Sequence, residues 1–134
     1  MGKLTLASVA ALNERLADDD ACDAALAAFA DAAALRGPLR SLLAAQAGLL
    51  QAEHEVGQVA DTLRRDQKYA PVGRPSVHIV QLRKQQAAAK QAALIARQVL
   101  AREAQTFVRL SALPVRAKQT PSEATTAWLG TLAR

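Results

Sequence analysis

The sequence predicts an all-α protein, in which a long antiparallel helical hairpin and short flanking helices pack as a small bundle. Of its 134 residues, 32 are Ala and 19 are Leu, and both residue types head the helix propensity scale. The strand formers Val and Ile number only nine and two, and four residues are aromatic, so a β-sheet is disfavoured. The length fits a single domain over residues 1–134,.

Two short helices are predicted first. Apolar residues spaced three and four apart indicate a helix over 5–17,. Three adjacent aspartates follow it, and we expect the last of them, Asp20, to cap a second helix over 21–36, because a carboxylate accepts hydrogen bonds from free amides at a helix start. Gly37 and Pro38 predict the end of this second helix, since glycine often follows a helix and proline often opens one.

Two long helices follow, over 38–68 and 77–113, joined by a loop over 69–76 that contains two prolines and a glycine,. Ser76, the last residue of this loop, is a candidate N-cap of the second long helix,. Because the connection is short, the helices are expected to fold back as an antiparallel hairpin with a coiled-coil seam. Apolar residues that recur every seven positions predict this seam, namely Leu42, Leu49, Val56 and Leu63 on the first helix and Leu82, Ala89, Ala96 and Leu110 on the second,.

Two glycines, Gly48 and Gly57, lie inside the first long helix, where glycine costs about 1 kcal/mol relative to alanine,. A cost of this size calls for a structural reason. We favour the close approach of a neighbouring helix, and a functional hinge is the alternative.

A last helix is predicted over 121–132. Thr120 and Glu123 match a capping box, in which the hydroxyl and the carboxylate each satisfy a free backbone amide,. Trp128 contributes to an apolar face of this helix. We favour docking of that face on the hairpin over a role for the indole as an anchor for a partner.

The formal charge of +5 divides into two unlike halves. Residues 1–61 hold four basic and nine acidic residues, a net charge of −5, whereas residues 62–134 hold thirteen basic and three acidic residues, a net charge of +10. This asymmetry indicates either an anionic partner for the second half or an acidic half that folds across the basic one. The charge counts are compatible with both.

The basic residues of the second long helix share one side of a helical wheel, opposite its apolar stripe,. Solvated helix faces commonly mix acids with bases, yet Glu103 is the only acid between Gln67 and Lys118. Leu94 and Val108 also fall within the basic arc, which suggests that something covers this face.

Phosphate contacts suit such a row of cations, because they position a protein on nucleic acid without reading its sequence. Further cations gather at the hairpin tip, where Gly73-Arg74-Pro75 resembles the Gly-Arg-Pro part of the AT-hook over three residues, with Val72 in place of another arginine. This resemblance implies an arginine-bearing loop that could enter a groove. The predicted nucleic-acid-binding residues are Arg64, Arg65, Lys68, Arg74, Arg83, Lys84, Lys90, Arg97, Arg102 and Arg109.

The sequence argues against an enzyme. His54 lies between two glutamates, but adjacent helical residues point to different faces, and no pair with metal-ligand spacing includes it,. His78 and Cys22 have no partner at a catalytic spacing, and the six glycines form no phosphate-binding loop,. We therefore expect no catalytic residue, no metal and no cofactor.

The sequence also lacks an apolar run of the roughly 18 to 20 residues that span a membrane, and its N-terminus lacks the pattern of a secretory signal,. A single cysteine cannot form an intrachain disulfide,. The expected location is the cytoplasm, with no membrane partner.

Two hypotheses about function follow. The first is a small accessory subunit that binds DNA or RNA with weak sequence specificity, through its basic helix face, within a larger assembly. The second is a protein–protein adaptor, chaperone or oligomerisation module, because the hairpin seam could pair between chains, including copies of this one. The two are compatible if one face binds protein subunits and the other binds phosphate.

Overall fold

The computed structural model describes residues 4–69 and 76–134, and these two ranges contain five α-helices and no strand. The helices are α1 (Leu6–Arg15), α2 (Asp19–Ala25), α3 (Ala32–Lys68), α4 (Val77–Ser111) and α5 (Pro121–Leu132). The long helices α3 and α4 pack together most extensively, while α1 and α2 pack on α3, and α5 packs on α4. The predicted all-α bundle is confirmed; most of the predicted hairpin loop lies outside the described residues.

The core lies where the short helices cover the base of the hairpin. Buried residues from all five helices meet there, and a smaller cluster of Leu63, Ile79 and Leu82 holds the hairpin together near its tip. Trp128 packs against Phe107 with ring centroids 5.1 Å apart, and the Phe29 ring centroid lies 5.4 Å from that of the Trp128 indole. The predicted docking of the last helix is therefore confirmed.

The predicted seam is confirmed on α3, where Leu42, Leu49 and Leu63 are buried, but not along all of α4, where Leu110 is 54% exposed. A straight α-helix rotates a strict seven-residue repeat by about 20° per heptad. Over the four heptads from Leu82 to Leu110, this rotation carries the side chain out of the interface. The buried residues of α4 include Leu82, Ala93 and Ala104, which are eleven apart and match the helical period better,.

The predicted helix boundary at Gly37 and Pro38 is wrong, because α3 runs through both residues. Instead of a helix over 21–36, the chain forms the seven-residue α2, and α3 begins at Ala32. Asp31 caps α3, since its carboxylate accepts a hydrogen bond of 3.1 Å from an amide in the first turn,.

Pro38 lies in the second turn of α3, where it removes a backbone hydrogen bond and crowds the preceding turn,. The residue before a proline is normally pushed out of the helical region, in part through its Cβ, and Gly37 has no Cβ. Leu35 and Leu39, on either side, are buried in the main core. Their burial offsets the cost of Pro38 and keeps the helix continuous.

The explanation favoured for the glycines is also wrong. A Cβ built on Gly48 or Gly57 would meet nothing within 4 Å, apart from the neighbouring residues and the backbone of the helix itself. Neither residue therefore marks the close approach of another helix among the described residues.

The predicted helix caps are confirmed for α4 and α5 but not for α2. Ser76 caps α4, because its hydroxyl accepts a hydrogen bond from the Ile79 amide at 3.1 Å, and Thr120 caps α5 in the same way. The cap of α2 is Asp18 rather than Asp20, and its carboxylate accepts from the Ala21 amide at 2.7 Å.

Candidate nucleic-acid interface

The acidic N-terminal helix α2 pairs with basic residues of its own half of the chain. Asp23 accepts a hydrogen bond from Arg36 Nε at 2.7 Å, and Asp19 accepts one from Arg40 at 2.7 Å. The hydrogen bonds from Arg36 lower the pKa of Asp23, and the hydrogen bond from Arg40 lowers the pKa of Asp19. The acids of α2 thus neutralise the start of α3.

The basic side of α4 is not covered by these acids. All six of its predicted binding residues are exposed, namely Arg83, Lys84, Lys90, Arg97, Arg102 and Arg109. Within residues 4–69 and 76–134, the only salt bridge that any of the six forms is between Arg102 and its sequence neighbour Glu103, at 3.7 Å. The sequence left this face either open or covered, and within the described part of the chain it is open.

The six cations of α4 form two rows. Arg83, Lys90 and Arg97 are seven residues apart, about 10 Å along the axis, and Lys90 and Arg97 line one flank of the contact between α3 and α4. The second row, Lys84, Arg102 and Arg109, projects away from α3, because the buried residues of α4 lie on the opposite side of the wheel,. At about 100° per residue, the two rows together span an arc of about 140°, roughly two-fifths of the helix circumference.

A shallow groove of about 310 Å³ runs beside the first row, between α3 and α4. Its lining is Glu53, Val56, Lys90, Ala93, Leu94 and Arg97. Leu94 remains 50% exposed, so the cover expected over it is not supplied by the described part of the chain, whereas Val108 is half-buried. The sequence did not identify Glu53 as a neighbour of the cations, because only the register of the hairpin places it beside Lys90 and Arg97.

The hairpin tip supplies three further exposed cations, Arg64, Arg65 and Lys68. Arg64 lies 3.5 Å from Asp61, and the Lys68 ammonium lies 5.8 Å from the centre of the Tyr69 ring. Arg74, the remaining predicted residue, lies outside the described residues. The tip therefore adds positive charge to the same end of the hairpin as Arg83 and Lys84.

A contact at the tip that the sequence did not predict joins the two long helices. His78 Nε2 lies 2.6 Å from a carboxylate oxygen of Asp66. Their twelve-residue separation spans the hairpin turn, so only the folded hairpin reveals the pair. The pair links the two helices next to the basic residues of the tip.

The described residues were also searched for candidate metal ligands and for membrane-spanning helices. No group of three or more His, Cys, Asp or Glu residues there is arranged to hold a metal ion. Cys22 is buried, and its thiol donates to the Leu16 carbonyl oxygen at 3.0 Å. No helix among the described residues is both long and apolar enough to cross a membrane.

Comparison with protein-family models, curated proteins and solved structures finds no match to this chain.

Proposed function

We propose that this protein is a non-enzymatic accessory subunit that binds the phosphate backbone of nucleic acid through the basic face of α4 within a larger assembly. The observation that supports the proposal is the open face: six exposed cations occupy one side of one helix, and the acids of α2 pair with Arg36 and Arg40 instead. Like charges on neighbouring turns repel one another. An anionic partner would relieve that repulsion.

Counterion release sets the expected strength of binding. If the six cations each neutralise one phosphate, the logarithm of the binding constant should fall with the logarithm of salt concentration at a slope of about −5 on duplex DNA. Raising the salt from about 50 to 200 mM would then weaken binding roughly a thousandfold. Sequence preference should be weak, because phosphate contacts carry no base information.

The test is fluorescence anisotropy with labelled nucleic acid over a series of salt concentrations. The variant replaces the first row, as Arg83→Gln, Lys90→Gln and Arg97→Gln. Its slope should become shallower by about 3, one for each phosphate contact removed.

A matched control removes three other exposed cations that lie outside α4, as Arg116→Gln, Lys118→Gln and Arg134→Gln. Both variants lose the same net charge, so the control should retain most of the slope. Equal losses in the two variants would mean that overall charge drives binding, and no binding at low salt by the unmodified protein would refute the proposal.

A second candidate function is a protein–protein module, and a groove on the other flank of the hairpin favours it. This groove has a volume of about 440 Å³ and is lined by Ser41, Ala44, Ala45, Gly48, Ala96, Val99 and Glu103. It carries none of the predicted binding cations. Gly48, which nothing within the chain crowds, lies on it.

Light scattering and sedimentation distinguish this second candidate. If copies of the chain associate through the groove, Ala44→Arg should dissociate them, and Ala11→Arg, at an exposed position of α1, should not. A monomer at every concentration, with no protein partner recovered, would remove the support for this candidate. Because the two grooves lie on opposite flanks, both functions could operate in one assembly.

A further inference from the structure

The cations of α4 and the placement of the aromatic residues bear on which form of nucleic acid the protein would bind. We infer that the ligand is a double helix, contacted at its phosphates, and not a single strand; this inference rests on the proposed function. The inference draws on the placement of the aromatic residues, the length of α4 over which the six cations are spread, and the density of charge on the ligand.

Proteins that bind single strands combine a basic groove with aromatic rings on which the bases stack. This chain has four aromatic residues, Phe29, Tyr69, Phe107 and Trp128, and all of them are among the described residues. Three of the four pack on one another in the core. The basic face of α4 therefore has no stacking platform.

Tyr69 is the exception, because it lies at the hairpin tip and is 78% exposed. It is one ring beside one cation, Lys68. A single ring can hold one base, whereas the row on α4 extends far beyond it. Tyr69 is therefore the place at which single-strand binding would have to begin, and it provides a specific control.

The six cations of α4 are spread over most of the length of the helix. Arg83 and Arg109 are 26 residues apart within the continuous helix α4, which is about 39 Å along the axis. A DNA duplex has a persistence length of about 150 base pairs, so it is already straight over this distance. A flexible single strand would have to be ordered along the row, at a cost in conformational entropy.

Charge density favours the duplex as well. Duplex DNA carries one negative charge per about 1.7 Å, so a 39 Å length of duplex carries roughly 23 charges around its whole circumference. For six contacts, counterion release gives slopes of about −5.4 on a duplex and −4.2 on a single strand. If the two ligands bind equally near 1 M salt, this difference makes the duplex about 30-fold tighter at about 50 mM.

The experiment measures anisotropy of the full chain with four labelled probes: a duplex DNA and a duplex RNA of about 20 base pairs, and a mixed-sequence and a poly-pyrimidine single strand of about 20 nucleotides. Each is titrated over a series of salt concentrations. The unmodified chain is compared with Tyr69→Ala, whose exposed position leaves the core intact; circular dichroism verifies the fold.

The expected result is about 30-fold tighter binding to at least one duplex than to either single strand, with a steeper salt slope. Tyr69→Ala should bind the duplex within about twofold of the unmodified chain, and the DNA and RNA arms identify which double helix fits better. Single-strand binding as tight as duplex binding would overturn the inference while leaving the proposed function intact, as would a tenfold loss of duplex binding in Tyr69→Ala. Failure to bind all four probes would instead refute the proposed function.

Discussion

The three glycines of α3 provide a stringent test of the packing, because they share open surroundings but should respond differently to the same substitution. Gly37, Gly48 and Gly57 all lie inside the helix, and an added Cβ at any of them meets nothing within 4 Å beyond its neighbours and the helix backbone. The rest of the described structure therefore leaves room for an alanine side chain at each position. The sign of the effect then depends on helix propensity and on the next residue.

For Gly48→Ala and Gly57→Ala, the expected gain is about 0.8 to 1.0 kcal/mol each in the free energy of unfolding, the full difference in helix propensity. Unfolding entropy is about 2.1 cal/mol/K per residue, so for 134 residues each gain should raise the Tm by about 3 to 4 °C. The two positions are nine residues apart, about 13 Å, so their effects should add.

Gly37→Ala should not show this gain, although the space beside it is equally open. The new Cβ would meet the ring of Pro38, and that clash disfavours the helical conformation of the residue before a proline. Pro38 lies inside α3, so this helical conformation is required.

The assay is urea unfolding followed by far-ultraviolet circular dichroism, with the three single variants and the double variant measured together. A loss of stability in Gly48→Ala or Gly57→Ala would show that these positions are not open. A gain in Gly37→Ala equal to the other two would refute the explanation of how the helix passes through Pro38.

Two further predictions concern the base of the bundle. Phe107→Ala should cost about 3 to 5 kcal/mol, because Phe107 is fully buried against Phe29 and Trp128,; unfolding measurements would test it, and a cost below about 1 kcal/mol would contradict the described core. Since the hydrogen bonds from Arg36 lower the pKa of Asp23 in the folded state, this pair should stabilise the fold above the unfolded pKa of about 3.9 and cease to do so as the pH falls through the lower folded value. Asp23→Asn should therefore flatten the loss of stability below about pH 4, and an acid unfolding curve unchanged by the substitution would be evidence against the pair.

Most of the fold could be predicted from the sequence, because the helices that local sequence patterns favour are also those that bury apolar residues. The leucines of α3 and the caps at Ser76 and Thr120 were predicted correctly. The failure at Gly37 and Pro38 arose where local and tertiary preferences conflict: both residues end helices on their own, but the buried Leu35 and Leu39 continue one stripe across them. The helix-ending preference of a glycine and a proline could not show that the burial of these leucines would outweigh it.

In the candidate site, too, some features follow from local sequence and others depend on tertiary packing. A helical wheel placed the cations of α4 on one side, and their exposure agrees with that placement. Glu53 beside Arg97, and His78 beside Asp66, depend instead on how the hairpin closes. Residues far apart in sequence meet through that register, and no local spacing encodes it.

The separation of charge also has a structural consequence. Asp19 and Asp23 lie against the first turns of α3, where Arg36 and Arg40 use them as partners, so they cannot also screen α4. Had α2 continued to residue 36 as a single helix, Arg36 would belong to it, and Arg40 alone would remain on the adjoining helix start as a cation for the aspartates. The passage of α3 through Pro38 thus places both Arg36 and Arg40 on one helix beside the acids of α2. Because Asp19 and Asp23 have these partners, they are not available to the cations of α4, and the proposed function depends on that separation.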